Sequence, residues 1–238
     1  MLHCVSDSIK SGYLENWNIT KSSFLHLLDY LEANQYQTTH FCRIAEKTNA
    51  TEKSSRKVIL TFDDCYKHLF EFAIPELLRR GMTAAFYMPT AYIGSYNYWD
   101  IRKGAKKLAI MDADDLKNLS MQGMEIGSHS HNHAELNNIT DVFQLREEIF
   151  TSKKILEDIL EKPIYSFSYP YGFVPASYKQ LLGEAGYKFG VSIYYPFESR
   201  LALRRFGLYN KDTDSSLALK LSKPYKWMRS IYDPIKKY

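Results

Sequence analysis

"KVILTFDD", residues 57–64, is the stretch on which the reading of the fold turns. Lys57–Phe62 is a β-branched, apolar run of strand length, and two aspartates follow it directly. Downstream, Ile74–Arg80 reads as a helix, with Pro75 tolerable in its first turn and Gly81 as its stop. Thr83–Met88, "TAAFYM", is the next strand. Asp114–Met121 is helical and closes near Gly123, and Met124–Gly127 leads into a histidine cluster. Thr140 is placed as the cap of a long helix whose apolar stripe is Val142, Leu145, Ile149, Leu156, Ile159 and Leu160, with Pro163 beyond its end. Ile164–Ser168 and Phe189–Tyr195 read as strands around the helix Tyr178–Gly186. Upstream, Leu2–Val5 is strand-like and Phe24–Ala33 is an amphipathic helix, while the polar Ala45–Lys57 reads as an exposed loop.

This alternation argues a mostly parallel α/β architecture. A chain of 238 residues, 45% apolar and 24% charged, matches a single α/β barrel or doubly wound sheet. The net charge of +4 is too weak to argue for nucleic acid. Cys4, Cys42 and Cys65 form no paired framework, so a reducing compartment is expected. No apolar run approaches the roughly 18 residues of a membrane span. The opening "MLHCVSDSIK" lacks the marks of a signal peptide, so the expected location is the cytoplasm. An aromatic content of 15%, with 19 tyrosines, suits carbohydrate handling.

Polar residues fall at three strand ends: Asp63–Asp64, Ser128–His133 and Tyr169–Gly172. In parallel α/β folds such ends carry the ligands and the catalytic groups, so the three should converge on one site. Within "EIGSHSHNHAE", Glu125–Glu135, three histidines could act together, as a pair with a distant partner, or not at all. His129 and His133, four apart, can bind one ion from a single turn, with His131 pointing elsewhere. Catalytic zinc usually takes three protein ligands, and Asp63 or Asp64 is the obvious third. The other aspartate is then free to act as a base, and a metal with a carboxylate base suits amide or ester hydrolysis.

"LTFDDCY" (Leu60–Tyr66), "EIGSHSHNH" (Glu125–His133) and "SFSYPYGF" (Ser166–Phe173), in that order, resemble the polysaccharide deacetylases, the nodulation-type carbohydrate esterases. The likeness also runs through Gly81–Gly94, Leu181–Ile193 and the opening "MLHCVSD", and covers roughly residues 1–210. It implies a distorted (β/α) barrel, often seven-stranded, as a domain over 1–217. It further implies Asp63 as general base, Asp64, His129 and His133 as zinc ligands, and the Tyr171 N–H as an oxyanion donor. Another divalent transition metal is the alternative to zinc. The implied activity is removal of acetyl from an N-acetylated saccharide or glycolipid in cell-surface polysaccharide or glycolipid biosynthesis. The rivals are a catalytically silent carbohydrate-binding barrel and a hydrolase of a small amide or imide.

Three departures stand out: Cys65 occupies the usual glycine position after the aspartates, Ser168 stands where many members carry arginine, and no histidine follows His133. Arg205, in "LALRRFGL", is therefore expected to enter the site and pair with Asp63 or the substrate. The candidates for the missing acid are Asp63 itself and His3. Tyr98–Asp100 are candidates to line a sugar subsite. Finally, the tail 218–238 carries a net charge of +5 interleaved with aromatic residues, so its 219–238 portion is a candidate contact for an anionic membrane surface.

Overall fold

The computed structural model describes residues 1–9, 12–46, 56–193, 195 and 197–232. Its strands are β1 (Cys4–Val5), β2 (Asn18–Ile19), β3 (Tyr36–Thr38), β4 (Arg56–Val58), β5 (Leu60–Asp63), β6 (Ala84–Met88), β7 (Glu125–Ser128), β8 (Ser166–Ser168), β9 (Phe189–Ser192) and β10 (Leu203–Arg204). Six of them form one parallel sheet in the order β10-β9-β8-β7-β6-β5, while β1 pairs with β2 and β3 with β4. The opening run therefore serves two sheets: it breaks at Ile59, with β4 turning to β3 and β5 entering the main sheet beside β6. The expected single strand Lys57–Phe62 is corrected accordingly.

The first residues close the curled sheet. Leu2 N–H donates to Thr61 O and Leu2 O accepts from Asp63 N–H, while Met1 nitrogen bonds Phe206 O and Leu208 N–H bonds Met1 O. Both open edges, β5 on one side and the chain after β10 on the other, are thus satisfied by one short segment, which removes the unpaired backbone that an open sheet would present. The result is the expected α/β barrel of distorted (β/α) type, with Met1–Leu2 in the seventh position.

Helices cover the outside: α1 (Lys21–Ala33), α2 (Phe41–Glu46), α3 (Ala73–Arg79), α4 (Tyr98–Ile101), α5 (Ala113–Met121), α6 (Val142–Arg146), α7 (Ser152–Leu160), α8 (Tyr178–Glu184), α9 (Asp214–Lys220) and α10 (Lys223–Tyr232). Thr20 caps α1 by accepting from Ser23 N–H, and Asp112 with Asp115 forms a capping box on α5. The cap of α6 is Asp141, one residue beyond the expected Thr140, because its carboxylate reaches Phe143 N–H at 2.8 Å. The long helix expected there is interrupted by a π-helical turn, Glu147–Thr151, between α6 and α7.

Inside, Phe62 and Phe86 stack at 4.9 Å and Phe24 meets Phe62 edge-on at 6.1 Å, which locks α1 to β5 and β6. Each fully buried side chain of this size contributes about 1.5–3 kcal/mol. Gly127 in β7 has a separate reason: a Cβ there would lie 2.4 Å from the Tyr87 ring and 2.7 Å from Ser166 Oγ. Only glycine lets β6, β7 and β8 approach at this point, just before the histidine cluster.

Of the expected loop Ala45–Lys57, Glu46 ends α2, Arg56 begins β4, and residues 47–55 lie outside the described residues. Strand β9 stops at Ser192, and Tyr194 of the expected strand also lies outside them. The boundary expected after residue 217 falls inside α9, where Leu217 is buried and Lys220 holds Asp212 at 2.6 Å. Asp233, Lys236 and Lys237 of the basic tail lie outside the described residues. Among the described residues no helix is long and apolar enough to cross a membrane.

Candidate active site

The C-terminal ends of β5, β7 and β8 deliver their polar residues to one place, as parallel sheets do. Asp63 is the last residue of β5, and the chain then enters the left-handed region at Asp64 (φ 71°) and Cys65 (φ 49°). Ser130 (φ 62°), His133 (φ 55°) and Tyr171 (φ 57°) share that strained conformation. Such strain clusters where a surrounding structure over-determines the backbone, and here it turns five residues of three separate motifs around one point.

Asp64 Oδ1 lies 3.2 Å from His133 Nε2 and 3.5 Å from His129 Nε2, and all three side chains are buried. His129 Nδ1–H donates to Ser168 O at 2.8 Å, which fixes the tautomer and leaves Nε2 a bare lone pair facing the carboxylate. Burial, the largest influence, pushes His129 down to about 4 and His133 down to about 3, so both rings are neutral. Burial likewise pushes Asp64 up. Its Oδ1 has no hydrogen-bond partner among the described residues.

The bare Nε2 of His129, the Nε2 of His133 and an unpartnered carboxylate oxygen converge in one buried place, an arrangement that a cation between them would satisfy. Ligand atoms around a tetrahedral zinc at ~2.1 Å stand ~3.4 Å apart, a spacing that the 3.2 and 3.5 Å separations match. The ligand atoms of Asp64, His129 and His133 all lie within 4.8 Å of one another, so the residues present fit a divalent metal.

Beside this trio, Asp63 is held differently. Arg205 Nη1 and Nη2 donate to its two oxygens, each at 2.7 Å, and Ser168 Oγ lies 3.4 Å from both. Burial pushes the Asp63 carboxyl up, but the guanidinium outweighs it and holds the group well below the usual carboxylate range. Arg205 also donates to Thr61 Oγ1 and Ser168 Oγ, so Ser168 helps seat an arginine that follows directly after β10. His3 Nε2 is 4.0 Å from Asp63 Oδ2, with its ring against Trp17.

In the Pro170–Gly172 turn, Gly172 N–H bonds Tyr169 O and Phe173 N–H bonds Pro170 O, and neither bond uses the Tyr171 N–H. The Tyr171 ring packs edge-on against His133 at 4.7 Å, and Trp99 stacks on that imidazole at 4.7 Å. Of the Tyr98–Asp100 segment, Tyr98 is 48% exposed and Asp100 is buried. His131 turns away and meets Thr90 Oγ1 at 2.9 Å.

One residue escaped the sequence reading. Glu148, only 6% exposed, accepts from His131 N–H, Asn132 N–H and Asn132 Nδ2, tying down the loop between the two metal-facing histidines. It sits in the π-helical turn, whose extra residue re-aims a side chain from an outer helix toward the site. A glutamate on a regular stripe gives no such signal.

A family model described as polysaccharide deacetylase matches residues 50–190. The Bacillus subtilis protein YxkH is 28% identical over 203 residues, which is 85% of this chain and 66% of that protein. The Staphylococcus aureus poly-β-1,6-N-acetyl-D-glucosamine N-deacetylase is 22% identical over 191 residues, 77% of this chain and 63% of that protein. The chain thus spans about two thirds of the length of these relatives, 66% and 63%. Among solved structures, the Streptococcus pyogenes deacetylase PplD in complex with acetate has a TM-score of 0.74 at 21% identity, covering 93% of this chain and 96% of that one. A de-N-acetylase from Aggregatibacter actinomycetemcomitans has a TM-score of 0.75 at 16% identity, covering 91% and 96%. These structural likenesses establish a shared fold.

Proposed function

This chain belongs to the polysaccharide deacetylase family, and from that membership we propose that it is a metal-dependent de-N-acetylase of N-acetylated sugars in cell-surface polysaccharide or glycolipid biosynthesis. The observation that carries the proposal is Asp64 Oδ1 facing the Nε2 atoms of His129 and His133, directly beside an ionised Asp63 clamped by Arg205. Asp64, His129 and His133 would hold the ion, zinc before other divalent transition metals. When bound, the ion supplies a Lewis acid that acidifies a water and polarises the acetamide carbonyl.

The chain's own residues do the rest. Asp63, kept ionised by Arg205, accepts the proton that the attacking water gives up at its carboxylate oxygens. The bidentate clamp fixes the plane of that carboxylate, so the base does not have to find its orientation in each cycle. The Tyr171 N–H, outside the turn's own bonding, is a donor for the developing oxyanion, a contact that can contribute about 3 kcal/mol in the transition state. The proton taken up by Asp63 then passes to the leaving amine, either from Asp63 itself or by way of His3, whose Nε2 is 4.0 Å from Asp63 Oδ2. Trp99 and Tyr171 pack against the His133 ring and hold its orientation. Printed similarity to a poly-N-acetylglucosamine deacetylase supports an aminosugar polymer as the substrate class.

The test is acetate release from N-acetylglucosamine oligosaccharides by the zinc-supplemented protein, with Asp63→Asn as its partner. Loss of the base should lower the rate by about 10²–10⁴-fold. Oligosaccharide binding with no acetate released by the wild type would leave a silent carbohydrate-binding barrel in place of an enzyme.

A further inference from the structure

Next to the site, Ile101–Lys107 reads "IRKGAKK" and carries Arg102, Lys103, Lys106 and Lys107, all exposed. Elsewhere Lys67, Arg79 and Lys154 each hold a carboxylate. Among the described residues, none of the four cations of this loop makes an ion pair. Two of them are nevertheless held in place. Lys103 Nζ stands 3.9 Å over the Tyr171 ring and 5.6 Å from the Tyr13 ring, and Lys107 Nζ stands 3.9 Å over Tyr96 and 5.7 Å from Tyr98.

The placement relative to the chemistry is what matters. Tyr171 packs against His133, so Lys103 is one aromatic ring away from a metal-facing imidazole. Tyr96 and Tyr98, 39% and 48% exposed, offer faces on which a pyranose can stack. A sugar whose acetamide lies at Asp64 would have its next substituents along this rim. Two carboxylates lie nearby, Asp100, which is buried, and Glu135, which accepts from Asn138 Nδ2 at 2.8 Å, against four cations on the loop.

We propose that this loop is an anion subsite, and that the substrate is an N-acetylated saccharide bearing a phosphoryl or carboxylate group about one sugar residue from the acetamide. The inference rests on the deacetylase reading and narrows its substrate class. Exposed ion contacts are individually weak and salt-screened, so two or three of them together give about a tenfold preference at low salt.

The experiment measures binding and acetate release separately on the zinc-supplemented full chain. Three probes are used: a neutral N-acetylglucosamine trimer, its 6-O-phosphorylated form, and a uronate-containing trimer. At low ionic strength an anionic trimer should bind about tenfold more tightly than the neutral one, with the preference fading in 0.5 M salt, conditions set by the ~10 Å screening length at 0.1 M. Which anionic trimer prevails identifies the phosphoryl or the carboxylate source. The double variant Lys103→Ala/Lys107→Ala should bring the anionic-to-neutral affinity ratio to within about threefold of unity, whereas Lys154→Ala on α7 should leave the ratio as it was. Equal affinities for all three trimers in the wild type, or a ratio that the double variant does not move, overturns the subsite. A salt-sensitive preference for anionic trimers without acetate release from any of them keeps the subsite and removes the deacetylase reading. Acetate release from the neutral trimer with no anionic preference does the reverse.

Discussion

Arg205 offers the sharpest structural test, because its removal strands a charge. Asp63 is 2% exposed, and Arg205 donates to both of its oxygens at 2.7 Å. Taking away one member of a buried, bidentate pair leaves the other uncompensated, which typically costs 3–5 kcal/mol. Arg205→Met keeps much of the volume while losing the charge, so nearly the whole cost should be electrostatic. The pH dependence gives the sign. In the wild type the guanidinium holds Asp63 low, so its contribution to stability is present above the unfolded carboxylate value of about 3.9 and is lost as the pH falls through the depressed folded value. In Arg205→Met the guanidinium is gone and burial, the largest influence, pushes Asp63 up, so the variant is most destabilised at neutral pH and recovers part of the loss on acidification. Urea unfolding of wild type, Arg205→Met, Asp63→Asn and the double variant at pH 7 and 5 closes the cycle. A coupling of about 2 kcal/mol or more is expected for a buried charged pair. An Arg205→Met loss below about 1 kcal/mol with no coupling would refute the reasoning, because such values belong to exposed pairs.

Glu148→Ala should weaken zinc binding by about 10–100-fold, read by competition with a chromophoric chelator, because three hydrogen bonds that seat residues 131–132 disappear while every metal-facing atom remains. Cys65 occupies φ 49°, a conformation that costs a non-glycine residue about 1–2 kcal/mol; Cys65→Gly should therefore unfold at a higher urea midpoint than Cys65→Ala, and the opposite order would remove backbone strain as the reason. In the metal-free protein His129 and His133 are held at about 4 and about 3, below the unfolded value of 6.5. Their neutral burial thus favours the fold above pH 6.5, and stability should fall below it by on the order of 2–3 kcal/mol per pH unit for the two groups together. Metal-free urea midpoints from pH 7 to 5 check this, and a flat profile would mean that the rings are solvated.

Much of the site could be read from the chain because each motif is local. Asp63–Asp64, His129–His133 and Pro170–Gly172 each sit directly after a strand, and a parallel sheet brings its strand ends together without further instruction. Spacing alone also set His131 aside, and Thr90 is where its ring goes. The rest depended on contacts distant in sequence. Nothing in "KVILTFDD" marks the break at Ile59, since both halves are strand-forming and only the partners β3 and β6 differ. The closure by Met1–Leu2 depends on residues 61–63 and 206–208, on opposite sides of the barrel seam. Glu148 stayed hidden because the π-helical turn that redirects it departs from the regular helical period by a single residue. Cys65 is a small buried side chain, and the position also demands a left-handed backbone, which is what glycine would supply.

The central claim is that Asp64, His129 and His133 hold the ion on which deacetylation depends. It is tested most directly by acetate release from an N-acetylglucosamine oligosaccharide after chelation and then zinc titration, with bound metal counted in parallel in the wild type and in His129→Ala/His133→Ala. The expected result is that chelation abolishes release, that about one equivalent of zinc restores it, and that the double variant neither binds that equivalent nor releases acetate. Acetate release that survives complete chelation, or full zinc binding by the double variant, would contradict it.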